Sequence, residues 1–293
     1  MSARIGIFLA AVGLLAGDER PGPAGGLPVT AGMAEVAVPV LYYETCGTGE
    51  AVVLIHGGNL DRRMWDDQFQ LFARHHQVIR YDVRGFGRSE VATRPYSDVK
   101  DLYSLLKGLK VDRAHLVGLS LGGRIAIDFT LAHPDMVRSV VAVGPGLSGF
   151  AWPAESEKRF EEMDRLARER GPEAAVEGWL KDPYMIPAME NPALAPRVRQ
   201  LALDNARAWL ANPLLPRPLN PPAARRLGEI RVPTLVVVGD RDVPEIQAIV
   251  KLLEKGIPHA RKVMIAGAGH MVNMEKPAQF NEVVLGFLKE VRP

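Results

Sequence analysis

The chain carries a single cysteine, Cys46, among 293 residues. One thiol allows neither an intrachain disulfide framework nor a cysteine-rich zinc module. An excess of one charge is also lacking: 36 Lys and Arg stand against 34 Asp and Glu, a formal net charge of +2, with no long basic run. That removes the electrostatic footprint of a nucleic-acid binder. No apolar run approaches the ~20 residues a membrane-spanning helix needs, and no repeat recurs at a fixed period. What is present is 47% hydrophobic and 24% charged residues, a composition and length sufficient for a full hydrophobic core.

The amino terminus raises the question of targeting. Arg4 precedes the apolar run Ile5–Ala16, and Gly- and Pro-rich residues follow as far as Gly32. A positive start before an apolar stretch too short to span a bilayer matches a secretory signal, so export is the expectation. Leu14 and Leu15 stand where a cleavage site wants a small residue, which leaves translation from Met33 and a cytoplasmic protein as the alternative. On either reading residues 1–32 are a leader without fixed structure, and the fold pattern begins at Val36.

From Val36 onward, short apolar runs alternate with helical patterns. Leu41–Glu44, Val52–His56, Val78–Asp82, His115–Leu119, Val140–Val143, Thr234–Val238 and Lys262–Ile265 read as strands. Several are nearly continuous Val, Ile and Leu, the pattern of strands covered on both faces. Leu121–Ala132, Pro244–Lys255 and Pro277–Val291 read as helices, the last with proline at its first position. The alternation predicts an α/β protein with a mostly parallel, doubly wound sheet and helices on both faces. Between Pro145 and Pro222 lie 12 of the 23 prolines and three of the four tryptophans, Trp152, Trp179 and Trp209. With helical patterns at Glu155–Arg170 and Val198–Leu210 and no strand, this stretch reads as a helical cap over a pocket. The expected organisation is a core of residues 33–144 and 223–293, with a cap at 145–222.

The strongest local signal is Gly118-Leu-Ser120-Leu-Gly122-Gly123, between a strand and a helix. A serine on so tight a turn adopts strained angles, and glycines on either side relieve the crowding and leave the hydroxyl exposed. The helix N-terminus beside it favours an anion. A dinucleotide-binding turn requires glycine where Ser120 stands. A serine hydroxyl needs a base. Of seven histidines, His270 follows a strand in a Gly-rich loop, which in a parallel sheet puts it on the same edge as Ser120. His75 and His76, at the end of a polar helix, read as solvated, and His115 and His133 as ordinary packing or surface residues. The base needs a carboxylate to fix its tautomer; Asp240 and Asp242 both end the next-to-last strand, and Asp240 can instead brace the turn or pair with Arg241. After Val52–Ile55 comes His56-Gly-Gly58-Asn59. The small residues there let the backbone approach a substrate, making the N–H groups of Gly58 and Leu121 the candidate oxyanion donors. His56 itself reads as a loop-holding residue.

These segments together, with Tyr81-Asp-Val-Arg-Gly-Phe-Gly-Arg-Ser89 and Gly239-Asp-Arg-Asp242, resemble the α/β-hydrolase fold superfamily over Val36 to Val291. The resemblance implies Asp242 rather than Asp240 as the acid, three places after the strand-terminal glycine, and a variable cap near Pro145–Pro222. It also implies that Arg84-Gly-Phe-Gly-Arg is a structural turn. The chain is similar to the small esterase and enol-lactonase-like branch. Serine as nucleophile separates it from haloalkane dehalogenases and epoxide hydrolases, and Asn59 departs from the His-Gly-Gly-Pro of proline iminopeptidases. The expected activity is hydrolysis of a small carboxylic ester or lactone through Ser120, His270 and Asp242, with no metal or organic cofactor. The same residues would serve a cofactor-free perhydrolase or haloperoxidase-like enzyme or a C–C bond hydrolase, and a non-catalytic ligand receptor is the alternative outside enzymes.

Overall fold

Strands that are apolar at every position require cover on both faces, and the central strands have it. The computed structural model describes residues 18–22, 25–35, 40–211 and 214–291. Its elements, in chain order, are β1 Asp18–Arg20, β2 Val29–Glu35, β3 Val40–Cys46, β4 Ala51–Ile55, α1 Asp66–Ala73, β5 Gln77–Tyr81, α2 Asp98–Gly108, β6 Ala114–Leu119, α3 Leu121–Ala132 and β7 Val137–Val143. They continue with α4 Ala154–Arg170, α5 Pro172–Trp179, α6 Ile186–Met189, α7 Ala195–Asp204, β8 Thr234–Gly239, α8 Pro244–Gly256, β9 Arg261–Ile265, α9 Val272–Glu275 and α10 Pro277–Glu290. Every residue of β4, β6 and β8 is buried. Since successive side chains point to opposite faces, helices cover both. On the helical layers α2 packs against α3, and α1 against α10. Each fully buried Val, Leu or Ile contributes about 1.5–3 kcal/mol, and β4 alone supplies Val52, Val53, Leu54 and Ile55.

The nine strands form one sheet in the order β1-β2-β3-β5-β4-β6-β7-β8-β9. The six from β5 to β9 run parallel, while β1, β2 and β3 add antiparallel neighbours at one edge. The chain winds outward from β4 in both directions, to β5 on one side and β6 on the other. That reversal puts the loops leaving β4 and β6 side by side at the carboxyl ends of the strands, where crevices form in such sheets.

Two sequence expectations need correction. Residues 18–20 and 29–32 are strand, so the 1–32 leader boundary falls inside β2, which pairs with β3 over all seven of its residues. The segment Val-Thr-Ala-Gly-Met-Ala-Glu hides this because its buried positions, Ala31 and Ala34, are too small to register as an apolar alternation. The signal-like run Ile5–Ala16 lies outside the described residues. His76 is buried rather than solvated, because the chain turns inward after α1 and sets its ring 6.2 Å from that of His115. Between β7 and β8 the described residues contain helices α4–α7 and no strand, and the helical pattern at Val198–Leu210 breaks at Asn205 into α7 and a short 3-10 turn. Asn205 also ties this segment to the sheet side of the molecule: its amide donates to Asp61 Oδ2 at 2.9 Å and to Leu201 O, and accepts from Gly87 N at 2.6 Å. No helix among the described residues is long and apolar enough to cross a membrane.

His115, fully buried on β6, has Nδ1 2.8 Å from Ser139 Oγ and Nε2 3.7 Å from Glu50 Oε2. Burial lowers its pKa from 6.5 to about 4, prevailing over the Glu50 carboxylate. The unfolded chain therefore takes up this proton at higher pH than the folded one, and stability held above pH 6.5 is lost as pH falls toward 4. His115→Gln should lose less stability than the wild type on acidification from pH 7 to pH ~4.5, measured by urea unfolding; equal losses would assign the acid sensitivity elsewhere.

Candidate active site

Ser120 is the first residue after β6 and the N-cap of α3, with φ 54° and ψ −110°. A non-glycine residue in that region carries strain that its surroundings must impose. Here the backbone is held on both sides: Ser120 N donates to Val143 O at 2.9 Å, and Ser120 O accepts from Arg124 N and Gly146 N, each at 3.0 Å. The flanking glycines are explained by contact distance. A Cβ on Gly118 would meet Gly122 O at 2.2 Å, and one on Gly122 would meet Ile55 O at 2.1 Å. The turn can be this tight only because neither side chain exists.

His270 and Asp242 come together from the loops after β9 and β8. The imidazole Nδ1 lies 3.0 Å from Asp242 Oδ2 and 3.1 Å from Oδ1, with side chains 4% and 0% exposed. A carboxylate only accepts, so Nδ1 carries the proton and Nε2 keeps its lone pair. Asp242 Oδ1 also accepts from Val243 N at 2.8 Å. Asp240 takes the other role open to it: its carboxylate receives Gly267 N at 2.8 Å and braces the loop before His270. The Tyr184 ring meets the imidazole edge-on, centroids 4.8 Å apart. Its buried hydroxyl has no partner among the described residues, and burial, aided by Glu245, Asp242 and Asp182, holds it well above the usual phenol range.

Ser120, Leu121, Gly58 and His270 all line one cavity of about 340 Å³, at the small end for ligand sites. The Ser120 hydroxyl makes no hydrogen bond to His270 among the described residues; such contacts commonly tighten only around a bound substrate. The N–H groups of Gly58 and Leu121 likewise have no acceptor among the described residues, Leu121 being the first residue of α3, where such groups are orphaned. His56 holds the loop, as its position suggests. Its Nε2 accepts from Val83 N at 2.8 Å, so Nδ1 is the protonated nitrogen and donates to Gly57 O at 2.7 Å. Burial lowers its pKa and keeps it neutral. The Arg84–Arg88 turn is structural, for the Asp82 carboxylate binds Arg88 N, Arg62 N and Arg62 Nη1.

The cavity wall is aromatic. Trp152, Phe160 and Tyr184 line it, following one another at ring separations of 6.1 Å each and ending on His270, while Phe150 backs Trp152 at 5.3 Å. Trp152 and Trp179 line the cavity; Trp209 does not. A polar link holds this wall in place. Glu245, three residues past Asp242, accepts from Ser156 Oγ and Arg159 Nη2, each at 2.7 Å, and Arg159 reaches Asp182, which caps Tyr184 N.

Sequence reasoning missed Glu275. Its carboxylate spans His270, accepting Gly269 N at 2.7 Å through Oε2 and Met271 N at 2.9 Å through Oε1. The only available signal is its spacing, five residues past His270 at the end of α9. Glutamine at this position offers one acceptor instead of two and no charge. Glu275→Gln should lower stability by about 1.5–3 kcal/mol, measured by urea titration; an unchanged unfolding free energy would dismiss the role.

A model of the alpha/beta hydrolase family matches residues 52–283. The putative carbamate hydrolase RutD of Azorhizobium caulinodans is 30% identical over 266 residues, covering 86% of this chain and 96% of its own length. A 2-hydroxy-6-oxononadienedioate/2-hydroxy-6-oxononatrienedioate hydrolase of Burkholderia vietnamiensis is 31% identical over 271 residues, covering 85% and 91%. The crystal structure of the enol-lactonase from Burkholderia xenovorans superposes with a TM-score of 0.72 at 25% identity, covering 85% of this chain and 96% of that one. A nine-stranded, mostly parallel sheet, a serine held at positive φ between strand and helix, and a match across most of its length therefore establish that this chain belongs to the α/β-hydrolase family.

Proposed function

We propose that the protein is a serine hydrolase of small carboxylic esters or lactones. The observation that carries this reading is the strained Ser120 lining the same apolar cavity as His270, whose Nδ1 is taken by Asp242. His270 Nε2 removes the Ser120 proton as the hydroxyl oxygen attacks the substrate carbonyl. The carbonyl oxygen becomes an alkoxide facing Gly58 N–H and Leu121 N–H, and loss of one such donor typically costs ~3 kcal/mol in the barrier. The imidazolium, stabilised by Asp242, returns its proton to the departing alcohol. Ser120 then carries the acyl group until water, deprotonated by His270, releases the acid. A lactone follows the same course with its alcohol still attached. The helical segment 145–222 acts as the cap, and its aromatic wall selects flat or apolar groups.

The likeness to the enol-lactonase and to RutD supports acyl transfer. The likeness to the dioate hydrolase supports a second reading, in which the same residues cleave a C–C bond beside a carbonyl.

A fluorophosphonate should label the folded wild type at Ser120 and leave Ser120→Ala unlabelled. Ser120→Ala and Asp242→Asn should each reduce turnover by roughly 10⁴-fold or more, measured on 4-nitrophenyl esters, lactones and oxo-dienoates side by side. Folded wild type that resists the label and hydrolyses none of these would overturn the proposal.

A further inference from the structure

The base of the proposed chemistry is held by two parts of the molecule, and one of them is the cap. From the core, Gly144 follows β7 with φ 44°, and its backbone comes close to the His270–Asp242 pair. A Cβ there would lie 3.0 Å from Asp242 Oδ2 and 3.2 Å from His270 Nδ1. From the cap, the contacts come from one short stretch, Asp182 to Glu190, which contains α6 and the turn before it. The Tyr184 ring meets the imidazole at 4.8 Å, with the two planes 80° apart. Pro187, buried at the start of α6, packs against Gly269, the residue before His270: a Cβ on Gly269 would meet Pro187 Cγ at 2.4 Å and Cβ at 2.5 Å. Glu190 pairs at 2.6 Å with Arg241, the residue before Asp242, but both side chains are about half exposed and the pair contributes little. The buried link matters more. Arg159 joins Asp182 to Glu245, three residues past Asp242, and each of those carboxylate side chains is only 6% exposed. A single stretch of the cap is therefore packed on the loop carrying His270 and tied to the loop carrying Asp242.

We infer that the cap stretch Asp182–Glu190 positions His270, with Tyr184 and Pro187 as positioning residues, so that turnover depends on a seated cap and not on grip of the substrate alone. The inference rests on the hydrolase reading for its effect on rate, though not for its effect on the imidazole. A hydrogen bond at Nδ1 fixes one edge of the imidazole, and packing against a second ring fixes its tilt. The working part of Tyr184 is its ring. Its hydroxyl is buried without a partner among the described residues, which is a cost and not an anchor. Pro187 sets the backbone on which the imidazole stands, because a pyrrolidine ring cannot swing aside as a flexible side chain can. A wall that only gripped substrate would need neither the Pro187–Gly269 contact nor the link from Asp182 to Glu245.

The test uses 4-nitrophenyl acetate, a small ester for which grip on the acyl group counts least, and the Nδ1–H proton of His270 as a readout independent of activity. Held against a buried carboxylate, that proton should give a slowly exchanging NMR resonance downfield of the amides, missing from His270→Gln. Tyr184→Ala and Gly269→Ala should each lower kcat on the order of 10²-fold, change KM much less, and broaden the resonance. Tyr184→Phe keeps the ring and should keep most of kcat together with the resonance. Tyr184→Leu, which keeps apolar bulk without a flat face, should show the same two effects as the alanine variant and covers a failure of that protein to fold. Pro187→Gly removes the atoms that the added methyl of Gly269→Ala meets, so the double variant should regain at least ~10-fold of the lost kcat. Losses confined to KM, or a resonance as sharp in Tyr184→Ala as in the wild type, would overturn the inference and leave the cap a substrate-binding surface alone. A wild type that hydrolyses no ester, while its resonance still follows the variants, would uphold the positioning and remove the hydrolase reading instead.

Discussion

A carboxylate fully withdrawn from water beside an imidazole is the constraint on which the site depends. Burying Asp242 carries a desolvation cost that the structure offsets with hydrogen bonds from Val243 N and His270 Nδ1. Because both its oxygens face Nδ1, the imidazole can present only Nε2 elsewhere. The surrounding contacts keep that presentation in place. Glu275 holds the backbone on both sides of His270, Asp240 holds Gly267, and the Tyr184 ring closes on the imidazole edge. Strain at Ser120 is tolerated for a related reason, since its N–H and C=O are fixed by Val143, Arg124 and Gly146 before any substrate arrives. The site is thus ordered by groups that take no part in bond making, which is what electrostatic preorganisation requires.

The helical segment is attached to this platform at two polar places. On one side Asn205 bridges Asp61, close after the Gly57–Asn59 loop, and Gly87 in the turn after β5. On the other, Ser156 and Arg159 of α4 meet Glu245, close after Asp242. Both anchors lie within a few residues of the groups proposed to do chemistry, so the position of the aromatic wall is tied to them directly. The wall, the Gly58–Asn59 loop and Ser120 then bound one mostly apolar cavity.

The core strands and the helices read at Leu121–Ala132, Pro244–Lys255 and Pro277–Val291, which end within one residue of α3, α8 and α10, were readable because doubly covered strands and amphipathic helices leave a continuous or periodic apolar pattern. The edge strand Val29–Glu35 was not, because Ala31 and Ala34 fill its buried positions and give almost no hydropathy signal. His76 was misjudged for the opposite reason: its neighbours are polar, yet the chain turns inward at that point. Glu275 and the Glu245–Arg159 link were invisible because each acts through a partner brought close only by folding, and a single carboxylate or arginine on a helix usually faces water.

What the amino-acid sequence determined by itself is local: a serine flanked by glycines on a strand-to-helix turn, a loop of small residues after the first parallel strand, and an aspartate and a histidine in the loops after later strands. Sterics dictate the serine turn partly within a few residues, as the 2.2 Å clash of a Gly118 side chain with Gly122 O makes plain, whereas the 2.1 Å clash at Gly122 is with Ile55 O on β4 and belongs to the tertiary fold. Only the tertiary structure decided which aspartate meets His270 and which tryptophans reach the cavity. Those outcomes depend on distances between segments more than a hundred residues apart in some cases. No such distance exists until the sheet has assembled and the helices have closed over it.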